Sequence, residues 1–482
     1  MIPIRPVPKR YAWGSSTRLQ SLMPAMRGVT GPLAELWYGG HPQSPSIVTM
    51  RGADVALDAA VRENPARMLG PVASHRWGPM LPYLLKVIAV HRPLSLQVHP
   101  LDFEARAGFH RENAAGVPLD AFDRSFRDAH GKSEMVVALE DFRASIGFAP
   151  ISQQIAALRL VDCDLACLMV RLLTGKTDGD PSSLVDVRSV DAYMPPSSVS
   201  WGVPGRSVFR AFWAAVTAGE NAWRSDARWT DARRPMDWLS MLTVARERIG
   251  RTGDRDTVRS AFDNAIDAAR SFPDDPSVLA LLMMNPVRLQ PGEGAFITPG
   301  TPHAYIRGMA AEIMTNSDNV LRAGLTVKHR DVPNMLRNLR PMPEPVRRPE
   351  SFARPDGVLY RPGLDEFSLK LGRADAEDGG VALAGYPFHE TSAIVPSPEC
   401  ASRPRILVCL SGELNCSRVM PGPADAGAGP ASYALHGGDA VFIPSADGPV
   451  SITASNAVSD GDVAWDAYET TGGAYLLAST GL

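Results

Sequence analysis

Cysteine is scarce in this chain: Cys163, Cys167, Cys400, Cys409 and Cys416 are the five among 482 residues. An odd, sparse set argues against a disulfide-stapled secreted fold and for a reducing compartment. Cys163 and Cys167 stand four apart on an expected helix. No other Cys or His accompanies them, so they are read as buried thiols rather than a metal pair. Long apolar runs are also missing. No uncharged stretch reaches the roughly 18–20 residues that span a bilayer. "LACLMVRLL" and "VLALLMM" are short and read as buried helices. The opening "MIPIRPVPKRYAW" has no apolar core of the signal-peptide kind. An excess of one charge is missing too. The formal net charge of -3 excludes a general nucleic-acid binder, so an anionic ligand must be met by a few local cations. The expectation is a cytoplasmic protein with neither membrane nor nucleic-acid partner.

What is present is ample apolar material, 45% hydrophobic against 21% charged, enough for two or three domains at roughly 150 residues each. Residues 1–150 carry short strand-like runs broken by Gly and Pro, such as "PLAELWYGG", "LPYLLKVIAV", "PLSLQVHP", "EMVVALE" and "ASIGFAP". That spacing predicts a sandwich or barrel. From Ile151 to residue 285 the periodicity becomes helical, beginning behind Pro150 with Ser152 as a candidate cap. Strand character returns over 286–340. The Pro- and Arg-rich segment 341–357 reads as a linker or wrapping segment, and a second all-β stretch runs to 482, with "PGPADAGAGPAS" as a hairpin tip. "PGEGAFITPGTPHAY" and "HGGDAVFIPSADGPV" are faintly alike, which fits two related β-barrels with the helical unit inserted into the first.

In "PLSLQVHP" the residues alternate, so Gln97 and His99 share a strand face opposite Leu96 and Val98. Their bases are roughly 7 Å apart, allowing both tips to converge on one ion. The plain alternative is a polar edge or a hydrogen-bonded buried histidine. Two further stretches strengthen the ion reading, though spacing alone leaves both alternatives open because His303 lies about 200 residues from His99. "HGKSEMVVALE" places Glu134 at the mouth of an apolar strand, with Lys132 on the same face, and "ITPGTPHAYI" places His303 at a strand start after a Pro-Gly turn. Two nitrogens and two oxygens suit Zn²⁺ with an open position, and Mn²⁺, Fe²⁺ or Co²⁺ also fit.

These segments resemble the type I mannose-6-phosphate isomerases, a zinc-dependent cupin family. The matching stretches are "RYAWGSS", "LAELWYGGHPQSPS", "LPYLLKVIAVHRPLSLQVHP", "RENAAGVPLDAF", "KSEMVVALEDFRASIGF", "TPHAYIRGMAAEIMTNSDNVLRAGLTVKHRDV" and "GDAVFIP". The resemblance implies a mainly β, cupin/jelly-roll double β-barrel with an inserted α-helical domain. It divides the chain into a catalytic cupin domain in two parts (1–150 and 286–340), a helical insert (151–285) and a C-terminal jelly-roll domain (341–482). It implies Gln97, His99, Glu134 and His303 as ligands of one Zn²⁺ per chain. The implied partner is a small sugar phosphate met by a monomer.

The implied reaction interconverts mannose 6-phosphate and fructose 6-phosphate through a cis-enediol, in the service of GDP-mannose synthesis. It needs an electrophile at the carbonyl, a proton carrier and cations for the phosphate. Arg322 matches the family's active-site arginine, and its planar fork suits a phosphate or an oxyanion. Lys132 stands beside Glu134 and is a candidate to bind the phosphate or polarise a sugar oxygen. Lys86 interrupts an apolar strand, where an unpaired lysine is costly. Glu312 and Asp318 match acidic positions of the family; either is a candidate base, with a metal-bound water as rival. Tyr305 shares a strand face with His303 and either lines the pocket or fills the core. Glu35 matches an acid with a structural alternative.

The pattern departs from the family in "GKSE". Many relatives carry His-Lys-Pro-Glu, so Gly131 stands for a histidine and Ser133 for a proline. His130 is one place early, and Val327 replaces a frequent proline. An Fe-dependent dioxygenase and a non-catalytic sugar-phosphate sensor are the competing readings.

Overall fold

The computed structural model describes residues 1–22, 26–50, 52–175, 190–218, 237–249, 255–354, 356–375, 403–419, 432–454 and 472–482. Within them the strands form sheets of ten, nine and three strands. The ten-stranded sheet is organised around the long strand His303–Thr315. The start of that strand pairs with Phe142–Phe148 and, at His303, with Leu96–Val98. Its later residues pair with Tyr83–Val90 on one side and Glu134–Ala138 on the other. Leu321–Gly324 adds to the far edge of Leu96–Val98. Tyr83–Val90 is buried throughout, which explains its near-continuous apolar sequence.

A register shift between Tyr305 and Arg307 decides which residues face the site. Side chains alternate along a strand, so His303 and Tyr305 would otherwise lie opposite Ala310 and Glu312. The extra residue of the bulge reverses the parity, and Tyr305 and Ala310 pack in one cluster. Gly308 follows the bulge at φ 122, and a Cβ there would meet the Asp141 carbonyl oxygen at 2.4 Å. Only glycine tolerates both conditions.

In the nine-stranded sheet the strand Ile2–Arg5 lies between Ala440–Ile443 and Ile47–Met50. The first residues of the chain thus join a sheet built largely from the last ones. One apolar core fills the space between this sheet and the ten-stranded one, with Tyr38, Leu85, Val87 and Ile313 meeting Val358, Ile406, Phe442 and Leu476. "GAFI" and "AVFI" both form strands, one in each large sheet.

The helical stretch contains Ile151–Leu158, Asp164–Thr174, Val203–Thr217, Trp238–Glu247 and Arg255–Ser271. Leu165, Leu172, Phe209, Phe212 and Phe262 form its core. Four local readings are corrected. Ser152 does not cap the first helix, which begins directly behind Pro150 without a side-chain cap. "VLALLMM" lies in a 3-10 helix, Pro276–Met283, except for Met284, which opens the strand Met284–Leu289. Cys167 is exposed while Cys163 is buried; Cys163 instead caps the helix Asp164–Thr174 through Ala166 N–H. Among the described residues, 1–150 also hold five α-helices, of which Asp102–Ala114 is the longest. Its face is mostly polar, so it carries no apolar stripe to reveal it. The expected hairpin tip (apart from Ser432), Cys400 and residues 219–223 of the expected "SVFRAFWAAVTAGENAW" helix lie outside the described residues. Burial pushes the Cys409 and Cys416 thiols up to about 12, which makes them unreactive. Among the described residues no helix is long and apolar enough to cross a membrane.

Candidate metal and sugar-phosphate site

Four short pieces of strand bring the site together. Gln97 is central in Leu96–Val98, flanked in register by His303 on one neighbour and Arg322 on the other. His99 lies just past the strand's end, and Glu134 opens Glu134–Ala138. The alternation in "LQVH" thus sends Leu96 and Val98 into the helical-side core and leaves Gln97 and His99 for the site. All four residues are buried, the two histidines completely.

The rings of His99 and His303 lie 4.7 Å apart. His99 Nδ1 is 3.0 Å from the Asn319 carbonyl, and His303 Nδ1 is 3.0 Å from the Thr301 carbonyl. A carbonyl only accepts, so each Nδ1 carries a proton, and in the neutral ring each Nε2 presents a lone pair. Burial pushes the His99 imidazole down to about 3. The two Nε2 atoms approach Glu134 Oε1 at 3.0 Å and Oε2 at 3.4 Å, yet neither makes a hydrogen bond among the described residues. Lone pairs facing a carboxylate in a buried space are unfavourable unless a cation lies between them. The ligand atoms of His99, Glu134 and His303 lie within 4.8 Å of one another. With Gln97 beside them, the donor set fits Zn²⁺. Asn319 fixes the His99 tautomer and is itself held by Asp128 and His130, the outer support that metal-bound histidines need.

The cations stand around this cluster. Lys132 Nζ lies 2.8 Å from Glu134 Oε1. Burial works against the Glu134 charge, yet its carboxyl is held well below the usual range, with Lys132 the positive charge fixed beside it. Tyr305 donates to Glu134 Oε2 at 3.3 Å and also packs edge-on against Phe142, so it is pocket wall and core aromatic at once. Lys86 pairs with Glu312 at 2.9 Å, directly across neighbouring strands. Burial disfavours the Lys86 charge, but Glu312, Glu35, Glu134 and Asp318 raise it above the ordinary lysine value. Burial raises the Glu312 carboxyl, and Lys86 only partly opposes this. Asp318 is lowered: Lys132, Lys86 and His41 outweigh its burial. Burial lowers Arg322. Glu35 accepts from Trp37 Nε1, and Lys86 and Lys9 sit over the Trp37 ring.

Several of these groups escaped the sequence reading. His41 is buried edge-on against Trp37. Burial lowers its imidazole, while the charges of Asp318 and Asp128 oppose that and Lys86 and Lys132 add to it. Lys328 lies 4.6 Å over the Tyr11 ring. Asp128 accepts from Asp318 N–H and Ser317 Oγ–H. The only signal for His41 was a histidine behind two glycines, and none marked Asp128 as a support.

Gly131 packs on the start of the helix Asp102–Ala114. A Cβ there would meet Asp102 N at 2.7 Å and Asp102 Cα at 2.9 Å, so this backbone has no room for the family's histidine. Gly131→Ala is expected to cost about 1–3 kcal/mol by overpacking and to lower turnover by shifting Lys132. Urea unfolding and steady-state rates on one preparation check both effects.

The antiparallel sheets, the buried His-Glu-His cluster and its ring of cations define a cupin-type metalloprotein fitted to an anionic ligand. The model of the phosphomannose isomerase type I catalytic domain matches residues 1–151. The mannose-6-phosphate isomerase of Salmonella typhimurium (strain LT2) is 32% identical over 339 residues, covering 70% of this chain and 74% of that protein. The Escherichia coli (strain K12) enzyme is 32% identical over 335 residues, covering 69% and 73%. The solved Salmonella typhimurium structure with fructose 6-phosphate and zinc superposes with TM-score 0.70 and 26% identity over 100% of both chains. The chain belongs to the type I phosphomannose isomerase family.

Proposed function

We propose that this protein interconverts mannose 6-phosphate and fructose 6-phosphate through a cis-enediol, with one zinc ion per chain held by Gln97, His99, Glu134 and His303. The observation that carries this is the convergence of two unpartnered histidine nitrogens on a buried carboxylate. The relatives bear the name of this activity, and a structural neighbour holds both zinc and fructose 6-phosphate.

When bound, the zinc supplies Lewis acidity beside the sugar carbonyl, where negative charge develops. The remaining work falls to the chain. Lys132 and the Tyr305 hydroxyl hold Glu134 in place from either oxygen. Glu312 takes the proton from one sugar carbon and returns it to its neighbour; burial raises its carboxyl, which makes it a stronger base, and such proton transfer is worth ~10²–10⁴-fold. Lys86 steadies that carboxylate and donates to a sugar oxygen. Arg322 and Lys328 meet the phosphate, and ionised Asp318 balances their charge. Proton transfer by Glu312 is favoured over Asp318, whose lowered value makes it a weak base.

We also propose the four-part division at 150, 285 and 340, a monomer, a cytoplasmic location suited to sparse free thiols, and a role in GDP-mannose synthesis.

The test follows fructose 6-phosphate formed from mannose 6-phosphate, before and after chelation, with zinc added back. Activity that vanishes and returns supports the proposal. A zinc-loaded protein that binds the sugar without turnover is a sensor, and oxygen consumption with iron makes it a dioxygenase. Arg322→Ala is expected to keep its zinc and lose about 10²–10³-fold in turnover, the scale for removing one charge-stabilising donor. Metal analysis beside kcat checks it, and full activity removes Arg322 from the site.

A further inference from the structure

Leu325 is the only non-glycine with positive φ among the described residues, at φ 56. It is fully buried. Leucine disfavours this left-handed region, because its Cβ crowds the following carbonyl. Such a conformation persists only where surrounding structure enforces it. Here the enforcing contact is specific. Asp275 Oδ2 accepts from Leu325 N–H at 2.7 Å, while Asp275 Oδ1 accepts from Ser277 N–H at 2.9 Å and Ser277 Oγ–H at 2.6 Å. One carboxylate thus caps the 3-10 helix Pro276–Met283 and grips the turn after Leu321–Gly324. The fit is close: a Cβ on Gly324 would lie 2.0 Å from Ser277 Oγ.

The turn joins two cations of the site. Arg322 lies three residues before Leu325, in register with Gln97. Lys328 lies three residues after it, over the Tyr11 ring. The opposite end of the segment is held separately, by Asp128 accepting from Asp318 N–H. We propose that Asp275 is a positioning residue: it clasps Leu325 in the left-handed conformation and so sets Arg322 and Lys328 for the substrate phosphate. This rests on the reading that those two cations meet the phosphate. Releasing the clasp lets the turn relax, and ligand affinity falls with the fraction of molecules still correctly arranged.

The test uses full-length, zinc-loaded protein. Asp275→Asn leaves one oxygen to cap Ser277 but puts an amide, which cannot accept, toward Leu325 N–H. It is expected to raise KM for mannose 6-phosphate and weaken inorganic phosphate binding by calorimetry, each roughly tenfold, the effect of a population shift of about 1.4 kcal/mol. Zinc content and kcat should change far less. Leu325→Val keeps Asp275 but resists positive φ, so it should give the same KM rise even where the aspartate variant fails to fold. Ser277→Ala removes the cap hydroxyl alone and should leave KM unchanged. Unchanged KM and phosphate affinity in folded Leu325→Val or Asp275→Asn overturns the clasp, as does a loss that tracks zinc instead. Wild-type protein that binds phosphate but does not isomerise mannose 6-phosphate overturns the functional reading and leaves the clasp to be judged on phosphate affinity.

Discussion

His303→Ala is expected to lose zinc and activity together. The imidazole supplies one of two unpartnered Nε2 atoms aimed at Glu134, and no other described histidine belongs to that cluster. Its removal leaves Gln97, His99 and Glu134 beside a void in a fully buried place. Water in that void restores neither the nitrogen donor nor its fixed direction from the Thr301 carbonyl. Turnover should fall by at least about 10²–10³-fold, the scale for losing a preorganised charge stabiliser. Added zinc should recover little of it. Metal analysis after gel filtration, beside the coupled assay, checks both parts. A variant that keeps stoichiometric zinc displaces His303 from the ligand set. Gln97→Ala should follow the same course.

Lys86→Ala is expected to keep the zinc, lose turnover by ~10²–10⁴-fold and unfold more easily. The lysine and Glu312 form a buried pair at 2.9 Å. Removing one partner of such a pair costs about 3–5 kcal/mol when the other stays charged. Glu312 escapes part of that cost by taking up a proton. Its carboxyl is already raised by burial, and losing Lys86 raises it further. The sign follows from linkage: the unfolded chain binds fewer protons here than the folded one. The variant's stability should therefore decline as pH rises from the ordinary glutamate value toward the raised folded one, then level off. Melting temperature across that range, compared with wild type, measures it. A flat difference would mean that Glu312 does not sense Lys86.

Much of the site was legible because its signals are local. Gln97 and His99 lie two apart, and strand geometry puts them on one face whatever surrounds them. Lys86 stood out because a lysine in an otherwise apolar strand needs a partner. Glu134 at a strand mouth and His303 at a strand start were candidates on the same local grounds, and the resemblance to a family completed the ligand set and added Arg322. The helix Asp102–Ala114 was missed because its apolar content is too low to mark a face.

By itself, then, the sequence determined the strand-rich architecture, the helical stretch and which residue types were available for a metal and a phosphate. These follow from short-range periodicity and side-chain chemistry. Only the tertiary structure decided that Glu312 faces the same side as His303, because a bulge between them reverses the alternation. It alone brought His41, Asp128 and Lys328 to the site and left no room for a side chain at Gly131. It also placed the first strand among the last ones. Such features depend on backbones meeting across tens to hundreds of residues, and no local pattern in the chain carries that distance.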